Sequence, residues 1–247
     1  MCNIFNMNYD RSPYRKIPEE LMSKYSMGGE CEIIYERCED QSKPTTDIRW
    51  TKEKILEFQA LVSEEIPSVG YPHENGAGRL REALSKYDLS QSSVAVIGST
   101  TPWVEAILLN LKCKSITTVE YNPVISEHEN IKSIHWNDFE AKNIQYDHIV
   151  SYSSIEHSGL GRYGDPLNPN GDIEAMQVIR EKMKVKGVLF LAVPRTPIDK
   201  IEWNLHRQYG PKRWPMLIEG FEEILNPIEH PNRKLQPVNF LQKKCNT

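Results

Sequence analysis

The sequence predicts an α/β protein built on a mostly parallel sheet, and three observations carry that prediction. Short continuous apolar runs at 94–97, 116–121, 147–152 and 188–193 have the character of strands buried on both faces. Stretches with apolar residues at three- and four-residue steps lie between several of them, the alternation expected of βα units. The 247 residues are enough to bury about 70% of the unfolded surface, so the core needs neither disulfides nor a structural metal.

Residues 1–48 read as a loosely structured lead-in, because Gly28, Gly29 and Pro44 interrupt the few apolar positions. The remainder, 49–247, reads as one α/β domain with a helical opening segment over 51–90. Ile55, Phe58, Gln59 and Val62 share one helical side, which stops near Pro67. A turn-rich stretch at 70–78, containing His73 and Glu74, precedes a second stripe of Leu80, Ala83, Leu84 and Tyr87. Gly98 ends the first strand, Thr101 is the expected cap and Pro102 the first residue of the next helix. Further strands are expected at 131–136 and 237–241. Asp172 is the expected cap of a helix carrying Ile173, Met176, Ile179 and Met183, and another helix is expected over 215–224.

Composition narrows the function by exclusion. The formal charge of −4 argues against a dedicated nucleic-acid binder. It is uneven, with residues 180–247 at +6 and the rest at −10. Such a tail either faces an anionic substrate or is a solvated surface. No apolar run approaches the ~20 residues of a membrane span. Residues 1–21 lack the apolar stretch behind a basic end that marks a secretory signal, and cysteines 2, 31, 38, 113 and 245 form neither a disulfide framework nor a CxxC pattern. A reduced, cytoplasmic setting is expected. HExxH and G-x-S-x-G are absent, and no metal is expected.

In an open parallel sheet, ligands bind beyond the carboxyl ends of the strands, near the point where strand order reverses. After the first strand, Gly98, Ser99 and Thr100 offer backbone N–H groups and hydroxyls at the start of a helix. Glu120 ends the second strand, where a carboxylate accepts the two hydroxyls of a ribose. Asp138 lies just past the third strand, and Ser153 leaves the fourth. The stretch 98–103 lacks the glycines of a pyrophosphate turn, so a cofactor without phosphate fits better than a dinucleotide.

Ser153, Glu156, His157, Arg162, Tyr163 and Asp165 crowd into 13 positions interleaved with Gly159, Gly161 and Gly164. His157 has the ordinary pKa of a near-neutral base, with Glu156 or Asp165 to orient or replace it. The alternative is that these groups satisfy loop amides and carbonyls. Arg162, Tyr163, His206, Arg207 and Tyr209 are candidate substrate grips, and the arginines are equally suited to internal salt bridges.

The chain resembles the DUF268 family of Caenorhabditis proteins, related to class I S-adenosylmethionine-dependent methyltransferases. The stretches that carry the resemblance are RWTKEKILEFQ (49–59), VAVIGSTTPWVEAI (94–107), VEYNP (119–123), SYSSIEHSGLGRYGDPLNPNGD (151–172), LFLAVP (189–194), HRQYGPKRWPMLIEGFE (206–222) and QPVNFLQK (236–243). The resemblance implies a three-layer, Rossmann-like, seven-stranded sheet with one antiparallel strand, near 237–241. It also places Gly98, Ser99 and Thr100 in the cofactor loop, Glu120 on the ribose and Asp138 beside the adenine. The expected function is S-adenosylmethionine-dependent methyl transfer to a small or glycan-like, anionic acceptor. The alternative is a methyltransferase-like binding or scaffold protein. A filled adenosine volume would favour that alternative.

Overall fold

Val94 and Val96 enter one apolar core while Ala95 and Ile97 enter another on the opposite face of the same strand. Because both faces are covered, the run is apolar without interruption. The computed structural model describes residues 15–36, 38–42, 48–63, 76–122, 124–229 and 236–244. In chain order they form α1 (Glu19–Tyr25), β1 (Glu32–Ile34), β2 (Arg49–Trp50), α2 (Lys52–Ser63), α3 (Gly76–Leu84), β3 (Ser93–Ile97), α4 (Trp103–Asn110), β4 (Ser115–Glu120), β5 (Ile125–Ser126), β6 (Ile131–His135), α5 (Trp136–Ala141), β7 (Tyr146–Tyr152), α6 (Gly171–Lys182), β8 (Met183–Ala192), β9 (Lys200–Glu202), β10 (His206–Gln208), α7 (Arg213–Leu217), β11 (Phe221–Ile228) and β12 (Val238–Lys243).

Seven strands make the main sheet in the order β11-β12-β8-β7-β3-β4-β6. All neighbours pair in parallel except β12, which runs antiparallel to both β8 and β11. Helices α2, α3 and α4 cover one face, and α5, α6 and α7 the other, giving three layers. The chain runs outward from β3 through β4 to β6, then returns to β7 on the other side of β3. The order therefore reverses between β3 and β7, and a crevice opens at their carboxyl ends.

Four local expectations differ from the structure. Asp172 does not cap α6; Asn170 occupies the cap position, and Asp172 is fully buried inside the first turn. Met183 begins β8 instead of ending the helix. The helix expected over 215–224 is only α7, after which Phe221 enters the core and the chain pairs with β12. Pro102 sits at the cap of α4, one residue before its expected place. The stretch 70–75, with His73 and Glu74, lies outside the described residues, and α3 begins at Gly76.

Within the expected lead-in, α1 and β1 are built into the protein. β1 pairs with β9, and Tyr25 packs edge-on against Trp203 at 5.0 Å. The Tyr25 hydroxyl donates to the Gly159 carbonyl at 2.6 Å. This small layer braces the loop after β7. No helix among the described residues is long and apolar enough to cross a membrane.

Candidate active site

The register of β3 and β4 brings the first two expected site elements together. Ile97 lies opposite Val119, and the Gly98 N–H donates to the Val119 carbonyl at 3.0 Å. Gly98 has φ +75°, and a Cβ there would collide with the Ser154 hydroxyl. Glycine is required at this turn by both its backbone conformation and its close neighbour. Trp50, fully buried, donates from its indole N–H to the Thr100 carbonyl at 3.3 Å and props the turn from below. Glu120 accepts a backbone hydrogen bond from Ser99.

These groups open on a cleft at the carboxyl ends of the strands. Gly98, Ser99, Thr100 and Glu120 line one part; Ser153, His157, Tyr163 and Asp165 line another. Trp103, Tyr121 and Tyr152 supply aromatic wall. A second hollow, against Trp136 and Asn137, shares Tyr121, Ser158 and Asp165 with the cleft as lining. Phe139 is buried in the core between sheet and helices and does not fill this space.

Asp138 is not brought into the cleft. Its side chain is exposed and turns to Lys142, one helical turn on, at 3.1 Å. Asp165 is at the cleft wall, but its carboxylate holds the loop together, accepting from the N–H groups of Gly159 (2.7 Å), Gly161 (3.1 Å) and Tyr163 (3.2 Å). Arg207 is fully buried and clamps the same loop by its carbonyls, donating to Ser158 at 2.5 Å and to Asn168 and Pro169 at 3.3 Å. Tyr209, also fully buried, donates to Asp172 at 3.1 Å. Arg162 is paired with the buried Glu39 at 2.5 Å. His206 sits outside the cleft lining, 3.7 Å from Glu202. Of the five expected grips, only Tyr163 faces the cleft.

His157 lines the cleft, yet it does not have the basicity expected of it. Burial, with the Arg162 guanidinium nearby, lowers its pKa to about 3. The ring is neutral near pH 7, and its Nδ1 sits 2.5 Å from the Leu205 carbonyl, which fixes the proton on that nitrogen. Glu156 is the opposite case. It is buried behind Ser153, and burial pushes its pKa up to about 7. Ser153 Oγ donates to Glu156 Oε1 at 2.8 Å, and Gln236 Nε2 donates to both oxygens, at 3.0 and 2.9 Å. Glu156 Oε2 is buried without a hydrogen-bond partner among the described residues. Ser153 itself has φ +52°, an uncommon conformation for a residue with a side chain.

Residues 91–245 match the model of the family described as Caenorhabditis protein of unknown function, DUF268. The chain belongs to that family. No curated protein matches the sequence. Among solved structures, the DUF268 chain is similar to the 1,6-didemethyltoxoflavin-N1-methyltransferase of Burkholderia thailandensis, solved with 1,6-didemethyltoxoflavin and S-adenosylhomocysteine. The identity is 11%, over 78% of this chain and 85% of that one, with a TM-score of 0.53. A protein from Listeria monocytogenes, assigned to the S-adenosylmethionine-dependent methyltransferases, is 11% identical over 68% of this chain and 96% of that one, TM-score 0.50. Mitomycin 7-O-methyltransferase is 10% identical over 68% of this chain, which spans 53% of that protein's length, TM-score 0.49. The DUF268 fold is thus the Rossmann-like fold of class I S-adenosylmethionine-dependent methyltransferases.

Two polar groups of this DUF268 chain escaped the sequence reading. Glu105 is fully buried under the turn, accepting from Ser99 Oγ at 2.9 Å and Thr118 Oγ1 at 2.7 Å. A charge amid the apolar helix WVEAILL was its signal. Gln236, remote in sequence, had none. No three His, Cys, Asp or Glu converge as a metal site among the described residues.

The carboxyls whose pKa is raised give a testable pH dependence. Burial raises Glu120, like Glu105, from 4.5 to about 7. A carboxyl whose folded pKa lies above its unfolded value binds more protons when folded, so its stabilisation is lost as pH rises from about 4.5 to 7. Glu120→Gln removes that loss. Its melting temperature relative to wild type is expected to rise between pH 5 and pH 8, measured by thermal denaturation at both. A gap independent of pH would count against a raised Glu120 pKa.

Proposed function

We propose that this protein is an S-adenosylmethionine-dependent methyltransferase acting on a small or glycan-like acceptor. One observation supports the reading above the others. The Gly98 turn and the Glu120 carboxyl meet beyond the carboxyl ends of β3 and β4, beside the switch point of the sheet, on an open cleft. An open space joining Gly98, Glu120 and Ser153 also speaks against a scaffold that has filled its cofactor site.

The residues present fit the cofactor. Glu120 would accept from the ribose hydroxyls, and the Gly98–Ser99–Thr100 backbone would face the amino-acid end. The hollow beside Tyr121, Trp136 and Asn137 would take the base. When bound, S-adenosylmethionine supplies a methyl carbon on a sulfonium, open to in-line displacement by an acceptor nitrogen or oxygen.

In this reading Ser153 and Glu156 handle the acceptor's proton. The Ser153 hydroxyl gives its own hydrogen to Glu156 and takes one from Gln236, leaving a lone pair for an acceptor N–H or O–H. Glu156, titrating near neutrality, suits the role better than His157. His157 and Tyr163, their rings edge-on at 5.5 Å, would shape the acceptor wall.

Calorimetric titration of the protein with S-adenosylhomocysteine tests the proposal. Saturable one-to-one binding with a micromolar Kd is expected. An absence of binding up to millimolar ligand would sink it.

A further inference from the structure

Ser99 stands between two carboxyls. Its backbone N–H donates to Glu120, and its hydroxyl reaches Glu105, the acid fully buried beneath the turn. Both Glu105 oxygens meet hydroxyls: Oε1 is 2.7 Å from Thr118 Oγ1, and Oε2 is 2.9 Å from Ser99 Oγ. Ser99 Oγ is also 3.0 Å from the Thr101 carbonyl oxygen.

These oxygen–oxygen contacts each need a hydrogen, and the two hydroxyls bring only one apiece. With Glu105 ionised, the Ser99 hydrogen serves either the carboxyl or the Thr101 carbonyl. The other contact then sets two oxygens together with nothing between them. With Glu105 as the neutral acid the count closes. Its own O–H donates to Ser99 Oγ, Ser99 donates to the Thr101 carbonyl, and Thr118 donates to Oε1. Full burial favours the same form, because a buried charge is costly unless it is paired.

The charges on the elements packed around Glu105 are placed as follows. β4 ends in Glu120, half-buried. α3 carries Arg79, which donates to the Tyr152 hydroxyl at 3.1 Å. β2 carries Arg49, exposed and 3.5 Å from Glu127. On α2, Lys52, Glu53 and Glu57 are exposed and Lys54 is half-buried. Glu120 is the acid that responds to Glu105, since a charge on Glu105 raises the Glu120 pKa. The two acids therefore take separate roles. A neutral Glu105 orders Ser99 and Thr101 and leaves Glu120 free to ionise, the form that accepts ribose hydroxyls best.

We infer that Glu105, as a neutral acid donating to Ser99, is a positioning residue for the cofactor turn, and that its ionisation loosens the turn and weakens nucleoside binding. This rests on the methyl-transfer reading above. Burial places the folded pKa of Glu105 at about 7, so the neutral form is present at pH 6 and is lost as pH rises through that value. Glu105→Gln keeps a donor for Ser99 and an acceptor for Thr118 at every pH.

Calorimetric titration of S-adenosylhomocysteine into the full chain, wild type and Glu105→Gln, separates this role from a merely structural one. The two Kd values are expected to be similar at pH 6, whereas at pH 8.5 the variant is expected to bind about 10-fold more tightly than wild type. Glu120 titrates in both proteins, so its effect largely cancels in the ratio. A ratio unchanged by pH, or moved the other way, would overturn the inference. Ser99→Ala gives a second arm if Glu105→Gln does not fold, because it keeps the backbone N–H toward Glu120 and removes the hydroxyl. It is expected to bind about 10-fold more weakly than wild type at pH 6 and about equally at pH 8.5. A deficit of the same size at both pH values would overturn the inference as well. S-adenosylhomocysteine failing to bind wild type at either pH would instead defeat the methyl-transfer reading beneath it.

Discussion

Glu120→Ala is expected to weaken S-adenosylhomocysteine binding by at least about 100-fold while leaving the fold intact. The carboxyl ends β4 beside the Ser99 N–H, and no other acid occupies the adjoining end of β3 or β6 in the cleft. Asp138, the next acid along, faces Lys142. Hydrogen bonds to a charged acceptor contribute roughly 1.5–3 kcal/mol each, and loss of two ribose contacts of this kind amounts to about 3 kcal/mol or more. Calorimetry on wild type and variant measures the ratio, and circular dichroism checks the fold. Because the variant removes a half-buried carboxyl whose pKa is raised, it is also expected to unfold no more easily than wild type at pH 8. Unchanged affinity would mean the nucleoside lies elsewhere.

The second large effect is on stability. Asp172→Asn should lower it by about 3–5 kcal/mol, the usual consequence of removing one partner from a buried ion pair. Arg213 donates to Asp172 from Nε at 2.9 Å and from a terminal nitrogen at 2.5 Å; Arg207 lies 3.6 Å away, and Tyr209 donates at 3.1 Å. Burial pushes the Asp172 carboxyl upward in pKa, but the two guanidiniums outweigh it and hold it below its ordinary value. Asparagine leaves both guanidiniums buried without their charge partner. For a chain of this size the melting temperature is expected to fall by roughly 10 °C. A shift of only a degree or two would show that the network is not what holds the 158–170 loop.

These two sites differ in how far they could be read from the residues. Gly98 and Glu120 were legible because fully buried strands advertise their own ends, and parallel pairing sets those ends side by side. The roles of the 153–165 loop were not. Whether Asp165 faces a ligand or three loop amides, and whether Arg162 faces a substrate or Glu39, depends on contacts between segments far apart in the chain. Local spacing carries no information about them. Asp172 is instructive: its place before an apolar stripe fits a helix cap, yet Arg207 and Arg213, some 40 residues later, draw it inside. The 221–228 segment misled for a similar reason. Its paired glutamates suit a helix surface, and only antiparallel pairing with β12 makes them a strand.

Glu156 and Gln236 extend the same point to chemistry. The clustering of ionisable groups after β7 was visible, and with it the candidate base. Which one retains useful basicity was decided by burial, which lowers His157 and raises Glu156.

Whether one nucleoside spans the Gly98 turn and Glu120 is read from a crystal structure of the protein with S-adenosylhomocysteine. Ribose hydroxyls are expected within hydrogen-bonding distance of the Glu120 carboxylate, the amino-acid end over Gly98–Thr100, and the sulfur facing Ser153 and Tyr163. A ligand bound elsewhere, or a cleft closed by its own side chains at saturating ligand, would contradict it.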